Sequence, residues 1–149
     1  MAGYHRLPDK TAETLRDGWL HTGDIGYLAA DGYLYLLDRK NDIIITGGMN
    51  VYSSEVEQFL QTCPGVGQVA VVGLPDPDWG EAVVAVVVPA PGTARIDVDD
   101  LTARCRLTLS AYKRPKCIRQ VEQLPLTPYG KVDKKQLRNQ LTRDPESPR

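Results

Sequence analysis

The chain has 149 residues, of which 42% are hydrophobic and 25% are charged, and its formal net charge is −1. These values describe one ordinary globular domain with an apolar core, with room for a short piece of a second domain. They give no indication of nucleic-acid binding, and no apolar run is long enough to cross a bilayer. Three widely spaced cysteines, Cys63, Cys105 and Cys117, match neither a metal-binding spacing nor a disulfide framework. We therefore expect no metal site in the chain and a reduced, cytoplasmic compartment.

The N-terminal part predicts little regular structure before a single hairpin. The first twenty residues are polar and show no clear period. Residues 25–29 and 33–38 predict two short strands joined at Asp31-Gly32, a strong hairpin signal. The apolar run at residues 34–37 suits a strand that is buried on at least one face. The charged block at residues 38–42 then predicts a solvated turn or a hinge between two units.

From Ile43 onward the pattern is that of a compact α+β domain. A buried strand at residues 43–45 ends at a glycine pair, and Ser54 with Glu57 predicts a capping box that starts a helix. Further strands are predicted at residues 69–74, 83–88 and 118–121, with helices after Asp97 and Asp133. Because strands and helices alternate without strict βαβ regularity, we predict an α+β fold in which helices pack on a small three-stranded sheet.

The segment at residues 124–133 is the most informative stretch of the chain. It holds Lys131 directly after Gly130 in a loop punctuated by two prolines, just ahead of the helix start at Asp133. Such a loop can fix one ammonium group, which suits a carboxylate or phosphate that becomes more negative during a reaction. Alone, a Gly-Lys pair is a weak signal. Two other segments, at residues 21–24 and 38–48, strengthen it.

Three motifs together resemble the C-terminal part of the adenylate-forming enzymes, which include acyl-CoA synthetases, aryl-CoA ligases, peptide-synthetase adenylation domains and luciferases. Residues 18–24 resemble the Thr-Gly-Asp motif of that family. Residues 38–57 resemble its hinge and the loop that follows, and residues 125–131 resemble its catalytic-lysine motif. Members activate a carboxylic acid with ATP and magnesium to give an acyl-adenylate. They then pass the acyl group to a thiol, often that of coenzyme A, after a small C-terminal domain rotates.

The resemblance implies roles for three charged residues. Asp24 is expected to accept hydrogen bonds from the ribose hydroxyls of ATP or AMP, although an aspartate in a turn is the simpler interpretation. Arg39 is expected to reach the ribose and phosphates, with a solvated surface charge as the alternative. Lys131 is expected to contact the substrate carboxylate and the phosphate during adenylation.

The resemblance also implies roles for residues of the thioester step. Gly47 and Gly48 match the loop that lines the pantetheine tunnel, although a tight turn would also use them. Lys113 and Arg114 belong to a basic cluster that could meet the phosphates of coenzyme A, with a solvated loop as the alternative. The hinge position falls on Asn41, where the family usually has Asp or Lys.

The resemblance further implies that the chain is a part of a larger enzyme. We expect residues 1–38 to be a remnant of the large AMP-binding domain, 39–42 a hinge, 43–142 the C-terminal lid and 143–149 a disordered tail. The phosphate loop, the acyl pocket and most magnesium contacts would lie in an upstream large domain in cis. We therefore expect a fragment of a fatty or aromatic acyl-CoA synthetase, inactive when isolated. Alternatives are a piece of a peptide-synthetase adenylation domain, or a non-catalytic module that binds coenzyme A or docks on a partner.

Overall fold

A computed structural model describes residues 1–143. The chain divides into two compact units, Met1–Asn41 and a second that starts at Asp42. The division falls inside the segment 39–42 that the sequence predicts to be a hinge, and motion at this point stays a prediction. Of the predicted tail, Arg143 belongs to a helix, and residues 144–149 lie outside the described range.

The first unit contains one short helix and two antiparallel strand pairs among its described residues. Its elements are α1 (Pro8–Thr14), β1 (Leu15–Arg16), β2 (Trp19–Leu20), β3 (Asp24–Leu28) and β4 (Leu34–Arg39). β1 pairs with β2, and β3 pairs with β4. The hairpin predicted at Asp31-Gly32 is confirmed. The helix α1 was not predicted, although a proline at its first turn is a usual start signal.

The β3–β4 hairpin exposes large apolar side chains. The rings of Tyr27 and Tyr35 stack with their centroids 5.3 Å apart, and both side chains are about half exposed. Leu28, Leu34 and Leu36 are exposed as well. The prediction that one face of this strand is buried is therefore wrong for the residues described here, because no other part of the first unit covers the face.

The second unit confirms the predicted α+β class and corrects the strand count. Its strands are β5 (Ile43–Thr46), β6 (Met49–Tyr52), β7 (Val66–Asp76), β8 (Gly80–Pro89) and β9 (Cys117–Gln120). Its helices are α2 (Ser53–Gln61), α3 (Val98–Thr108) and α4 (Lys134–Arg143). Within residues 42–143 the sheet has five strands in the order β6-β5-β8-β7, with β9 parallel to β8. The predicted three-stranded sheet is too small because β6 was not recognised and β9 joins the same sheet.

The long β7–β8 pair separates two apolar clusters. Successive residues of a strand point to opposite faces, and Val71 belongs to one cluster while Ala70 and Val72 belong to the other. α2 and α3 contribute Val56, Leu60, Leu101 and Cys105 to the first cluster. α4 contributes Leu137 and Leu141 to the second. The valine-rich strands are thus buried on both faces, and Cys105 is a core residue.

Two of the predicted helix starts are confirmed, and the third is displaced by two residues. The carboxylate of Asp97 accepts hydrogen bonds from the backbone N–H groups of Asp99 and Asp100, and Asp133 accepts one from Gln136. α2 instead begins at Ser53, with Tyr52 as its N-cap. Ser54 therefore lies inside the first turn and does not start the helix.

The hairpin between β5 and β6 turns at Gly47-Gly48. Both glycines have positive φ, 56° and 77°, as a two-residue type I′ turn requires. Gly47 also lies against Trp79: its N–H donates to the Trp79 carbonyl at 2.8 Å, and an added Cβ would lie 2.7 Å from the indole ring. An added Cβ on Gly48 would meet open space.

The packing of α4 predicts a large cost for Leu137→Ala. Leu137 is 3% exposed, and its truncation leaves a cavity on the sheet face opposite α2 and α3. We expect the free energy of unfolding to fall by about 2–5 kcal/mol in urea denaturation. Leu107→Ala is the matched control, since Leu107 is 88% exposed and should change stability by less than about 0.5 kcal/mol. Equal effects of the two variants would contradict the assigned core.

The turn geometry predicts that Gly47→Ala and Gly48→Ala differ. Both variants place an L residue at positive φ, at a cost of about 1 kcal/mol. Only Gly47→Ala adds a clash with the Trp79 ring, which should cost about 1 kcal/mol more. The free energies of unfolding from urea titration give the comparison. A Gly48→Ala variant as unstable as Gly47→Ala would show that the close Gly47–Trp79 contact is not significant.

Candidate active-site residues

Asp24 and Arg39 face each other across the β3–β4 ladder. The two residues are register partners, and Arg39 Nε lies 3.4 Å from Asp24 Oδ1. The Lys40 N–H donates to the Gly23 carbonyl at 2.8 Å, which continues the pairing beyond the strands. Both side chains keep exposed atoms, so the carboxylate and the guanidinium can each contact a ligand as well as each other.

A polar cavity of about 850 Å³ adjoins this pair within the first unit. Its lining includes Tyr4, Lys10, Arg16, His21 and Asn41. Four lysine and arginine side chains and two carboxylates line the cavity, and this excess of positive charge suits an anionic, hydroxyl-bearing ligand. Lys10 and Arg16 had no role in the sequence prediction, since nothing in the first twenty residues indicated where they would lie.

The Gly47 turn adjoins a small aromatic and charged cluster. The Lys116 ammonium lies 4.5 Å from the centroid of the Trp79 ring, a cation–π distance, and 3.4 Å from an oxygen of Asp76. Burial would raise the pKa of Asp76, but the backbone N–H groups of Trp79 and Asp78, together with Lys116, outweigh it and lower that pKa. Trp79 is half exposed, so part of the indole is open to solvent beside the turn.

Lys113 and Arg114 are engaged within the second unit. The Lys113 ammonium contacts both oxygens of Glu55, at 2.6 and 2.8 Å, and this hydrogen bonding raises the pKa of Lys113. Arg114 donates to the carbonyls of Arg106 and Leu109 at the end of α3. These bonds satisfy C-terminal carbonyls of the helix, a structural role that the sequence could not indicate.

Lys131 lies on a closed loop. The Thr127 N–H donates to the Lys131 carbonyl at 2.7 Å, and the Lys131 N–H donates to the Thr127 hydroxyl at 3.3 Å. Leu126 and Val132 form an antiparallel bridge, and Gly130 takes the positive φ that the turn needs. The backbone of Lys131 is therefore fixed on both sides. Its side chain is exposed, and no other side chain among residues 1–143 holds its ammonium.

The predicted residues thus fall into separate groups. Asp24, Arg39 and Asn41 belong to the first unit, and Asp24 and Arg39 form one pair there. Gly47 lies beside Trp79 and Lys116, whereas Lys113 pairs with Glu55 elsewhere in the second unit. Sequence reasoning missed Lys116 as a partner of Trp79. Among residues 1–143, no three His, Cys, Asp or Glu side chains form a possible metal site, and no helix is long and apolar enough to cross a membrane.

Comparison with known proteins gives consistent matches. The feruloyl-CoA synthase of a Streptomyces species is 49% identical over 141 residues, covering 95% of this chain and 28% of that protein. The medium/long-chain-fatty-acid–CoA ligase FadD8 of Mycobacterium tuberculosis is 46% identical over 142 residues, covering 91% of this chain and 25% of that protein. The chain therefore spans about a quarter of the length of these relatives.

A solved structure and a family model agree with these relatives. The ATP-bound structure of MatB from Rhodopseudomonas palustris superposes with a TM-score of 0.85 at 41% identity, covering 95% of this chain and 28% of that one. The family model described as the AMP-binding enzyme C-terminal domain matches residues 55–131. The chain therefore belongs to the AMP-binding enzyme C-terminal domain family.

Proposed function

We propose that this chain is the C-terminal part of an ATP-dependent acyl-CoA synthetase that acts on a fatty or aromatic acid. In the first half-reaction, a carboxylate oxygen attacks the α-phosphorus of ATP, and pyrophosphate leaves. In the second, the sulfur of coenzyme A attacks the acyl carbon, and AMP leaves. The observation that carries the proposal is the fixed backbone and exposed ammonium of Lys131 in a chain of this family.

Lys131 stabilises the transition state of adenylation. Negative charge builds on the phosphate as the carboxylate attacks, and a preorganised ammonium offsets that charge without reorganising. The closed loop supports this role because both backbone hydrogen-bonding groups of Lys131 are held by Thr127. Only the side chain then loses freedom when it meets the substrate, which lowers the entropic cost of the contact.

Asp24 and Arg39 bind the nucleotide. An ionised carboxylate can accept hydrogen bonds from both ribose hydroxyls, and a guanidinium can donate to a phosphate. Their mutual contact at 3.4 Å orients each side chain before ATP or AMP arrives. No residue of this chain is assigned to magnesium, which we propose is held mainly by the large AMP-binding domain.

The face around Gly47 serves the thioester step. A two-glycine turn lets a narrow pantetheine arm approach the backbone closely. The exposed part of the Trp79 ring and the nearby Lys116 ammonium offer apolar contact and charge to a nucleotide. Lys113 and Arg114 could also meet phosphates, but Lys113 would have to share its ammonium with Glu55, and Arg114 would have to share donors with α3.

The remaining parts of the proposal concern the whole protein. A large AMP-binding domain in cis supplies the phosphate loop and the acyl pocket. Rotation of the second unit about the segment near Asn41 switches the enzyme from the adenylation step to the thioester step. The location is cytoplasmic. A peptide-synthetase fragment and a non-catalytic module that binds coenzyme A or docks on a partner are the alternatives. A coenzyme A-binding module is favoured if the isolated chain binds coenzyme A in an amide NMR titration while the feruloyl-CoA synthase chimera described below forms no adenylate.

The isolated chain is expected to be inactive. It carries no phosphate loop, so ATP and the acid lack most of their binding groups. We expect the purified 149-residue chain to give no ATP–pyrophosphate exchange above background with fatty and aromatic acids. Robust exchange would show that the chain catalyses adenylation alone. It would contradict the proposal that a large AMP-binding domain supplies the phosphate loop and the acyl pocket.

Lys131→Met is expected to impair adenylation selectively. The test uses a chimera in which this chain replaces the matching 141 residues of the Streptomyces feruloyl-CoA synthase. We expect feruloyl-adenylate formation to fall by roughly two to three decades, about 3 kcal/mol of transition-state stabilisation. Thioester formation from supplied adenylate should fall much less. The control is Lys135→Met, which removes a neighbouring exposed ammonium; a loss of equal size in that variant would refute a specific role for Lys131.

A further inference from the structure

Lys134 is turned inward, although it lies three residues after Lys131 at the start of α4. Its ammonium lies 2.7 Å from Glu57 Oε1 and donates to the Ser53 hydroxyl at 2.8 Å. The side chain is only 16% exposed, and Ser53 is fully buried. Lysines on a helix surface normally extend their ammonium into water, as the exposed Lys135 can. The ion pair therefore connects α4 to the first turns of α2.

Glu57 extends this connection to the sheet. The same oxygen, Oε1, accepts the backbone N–H of Val71 at 2.8 Å. Within residues 42–143, β7 is the outer strand in the order β6-β5-β8-β7, and the Glu57 carboxylate serves as the acceptor for this N–H. One carboxylate oxygen therefore joins α2, the edge of β7 and the N-terminal turn of α4. A shift of α4 would break a partly buried, charge-assisted contact and leave an ionised group poorly paired.

Arg138 makes a second connection one turn further along α4. Its Nη2 lies 2.8 Å from Asp42 Oδ1, and both side chains are less than a third exposed. Asp42 directly follows Asn41 and is the first residue of the second unit. Lys134 and Arg138 are four residues apart and share one face of the helix. α4 is thus tied to α2 and to the segment where the second unit begins.

Apolar packing alone does not fix the rotation and the axial position of α4. Leu137 and Leu141 hold α4 against the sheet, but hydrophobic contacts are non-directional and permit small sliding and rotation about the helix axis. Two directional ion pairs on one face fix the rotation and the axial position. The N-terminal end of α4 is joined directly to the Lys131 loop, since the Asp133 N–H donates to the Pro125 carbonyl at 2.8 Å.

We propose that Lys134 and Arg138 are positioning residues for Lys131. They hold α4, and with it the closed loop of residues 125–131, in a fixed place relative to Asp42. Movement of the second unit then carries the Lys131 ammonium to a defined point. The proposal rests on the proposed function for its catalytic consequence, whereas the fixing of the loop by Lys134 is a property of the chain itself.

The first test measures amide hydrogen exchange in the 149-residue chain. In Lys134→Met, the amides of Lys131 and Asp133 should exchange about tenfold faster than in the unaltered chain, while core amides such as that of Val84 change less than about twofold. Lys134→Arg keeps the charge and should restore most of the protection, and Lys135→Met should have no effect. Unchanged exchange at Lys131 in Lys134→Met would overturn the proposal, whatever the activity. A uniform increase that includes the core would also overturn it, because it would indicate general destabilisation.

The second test separates the half-reactions in the feruloyl-CoA synthase chimera. Lys134→Met should lower kcat of adenylation about tenfold while KM for ATP and the acid changes less than about twofold. Thioester formation from supplied feruloyl-adenylate should stay within about twofold, and Lys134→Arg should recover most of the loss. Arg138→Met should likewise lower kcat of adenylation and leave thioester formation unchanged, and Arg138→Lys should restore adenylation. Equal losses in both half-reactions, or no loss in the first, would overturn the positioning role.

A failure of the proposed function is distinguishable from a failure of this inference. If the chimera with the unaltered chain forms no feruloyl-adenylate, the proposed function fails, and the exchange measurement still decides whether Lys134 fixes the Lys131 loop. If the chimera is active and Lys134→Met changes neither exchange nor adenylation, the positioning inference fails alone.

Discussion

The antiparallel pairing of β7 with β8 is the interaction on which the rest of the second unit depends. The two strands pair from Val66↔Pro89 to Asp76↔Gly80, with one irregularity near Gln68. Nearly all their central residues are buried on both faces, so this ladder supplies one wall of each apolar cluster. Every helix of the unit within residues 42–143 packs on one of these two walls, and the loops with candidate functional residues start from elements held there.

Two parts of the second unit that this ladder supports have different candidate roles. The side with α4 supports the loop that presents Lys131, and the neighbouring β5–β6 hairpin presents Gly47 and Gly48. The attachment of that hairpin is partly through a side chain, because the Ile45 N–H donates to Glu81 Oε2 at 2.6 Å. An added Cβ on Gly73 would lie 2.7 Å from Glu81 Oε1, so this carboxylate needs the glycine on the next strand. A rigid sheet with functional groups on its connecting loops is a common way to combine stability with binding.

Local signals predicted the parts of the fold that depend on near neighbours in sequence. Asp31-Gly32 predicted a hairpin, and Asp97 and Asp133 predicted helix starts, because turns and caps are formed within a few residues. The N-cap of α2 is Tyr52, two residues before the predicted Ser54, and the Glu57 carboxylate contacts Val71 and Lys134, which are distant in sequence. β6 was missed because four residues of mixed polarity between a glycine turn and a helix carry no strand period. Lys131 was found by its motif, whereas the inward turn of Lys134 depends on contacts across as many as 81 positions.

The contact between Gly47 and Trp79 has an evolutionary consequence. The indole ring occupies the space that a side chain at position 47 would need, and the Trp79 carbonyl accepts the Gly47 N–H. The two positions therefore cannot drift independently. We expect a larger residue at position 47 to be tolerated better with a smaller one at position 79, and a change at position 47 alone to pack poorly against the indole ring.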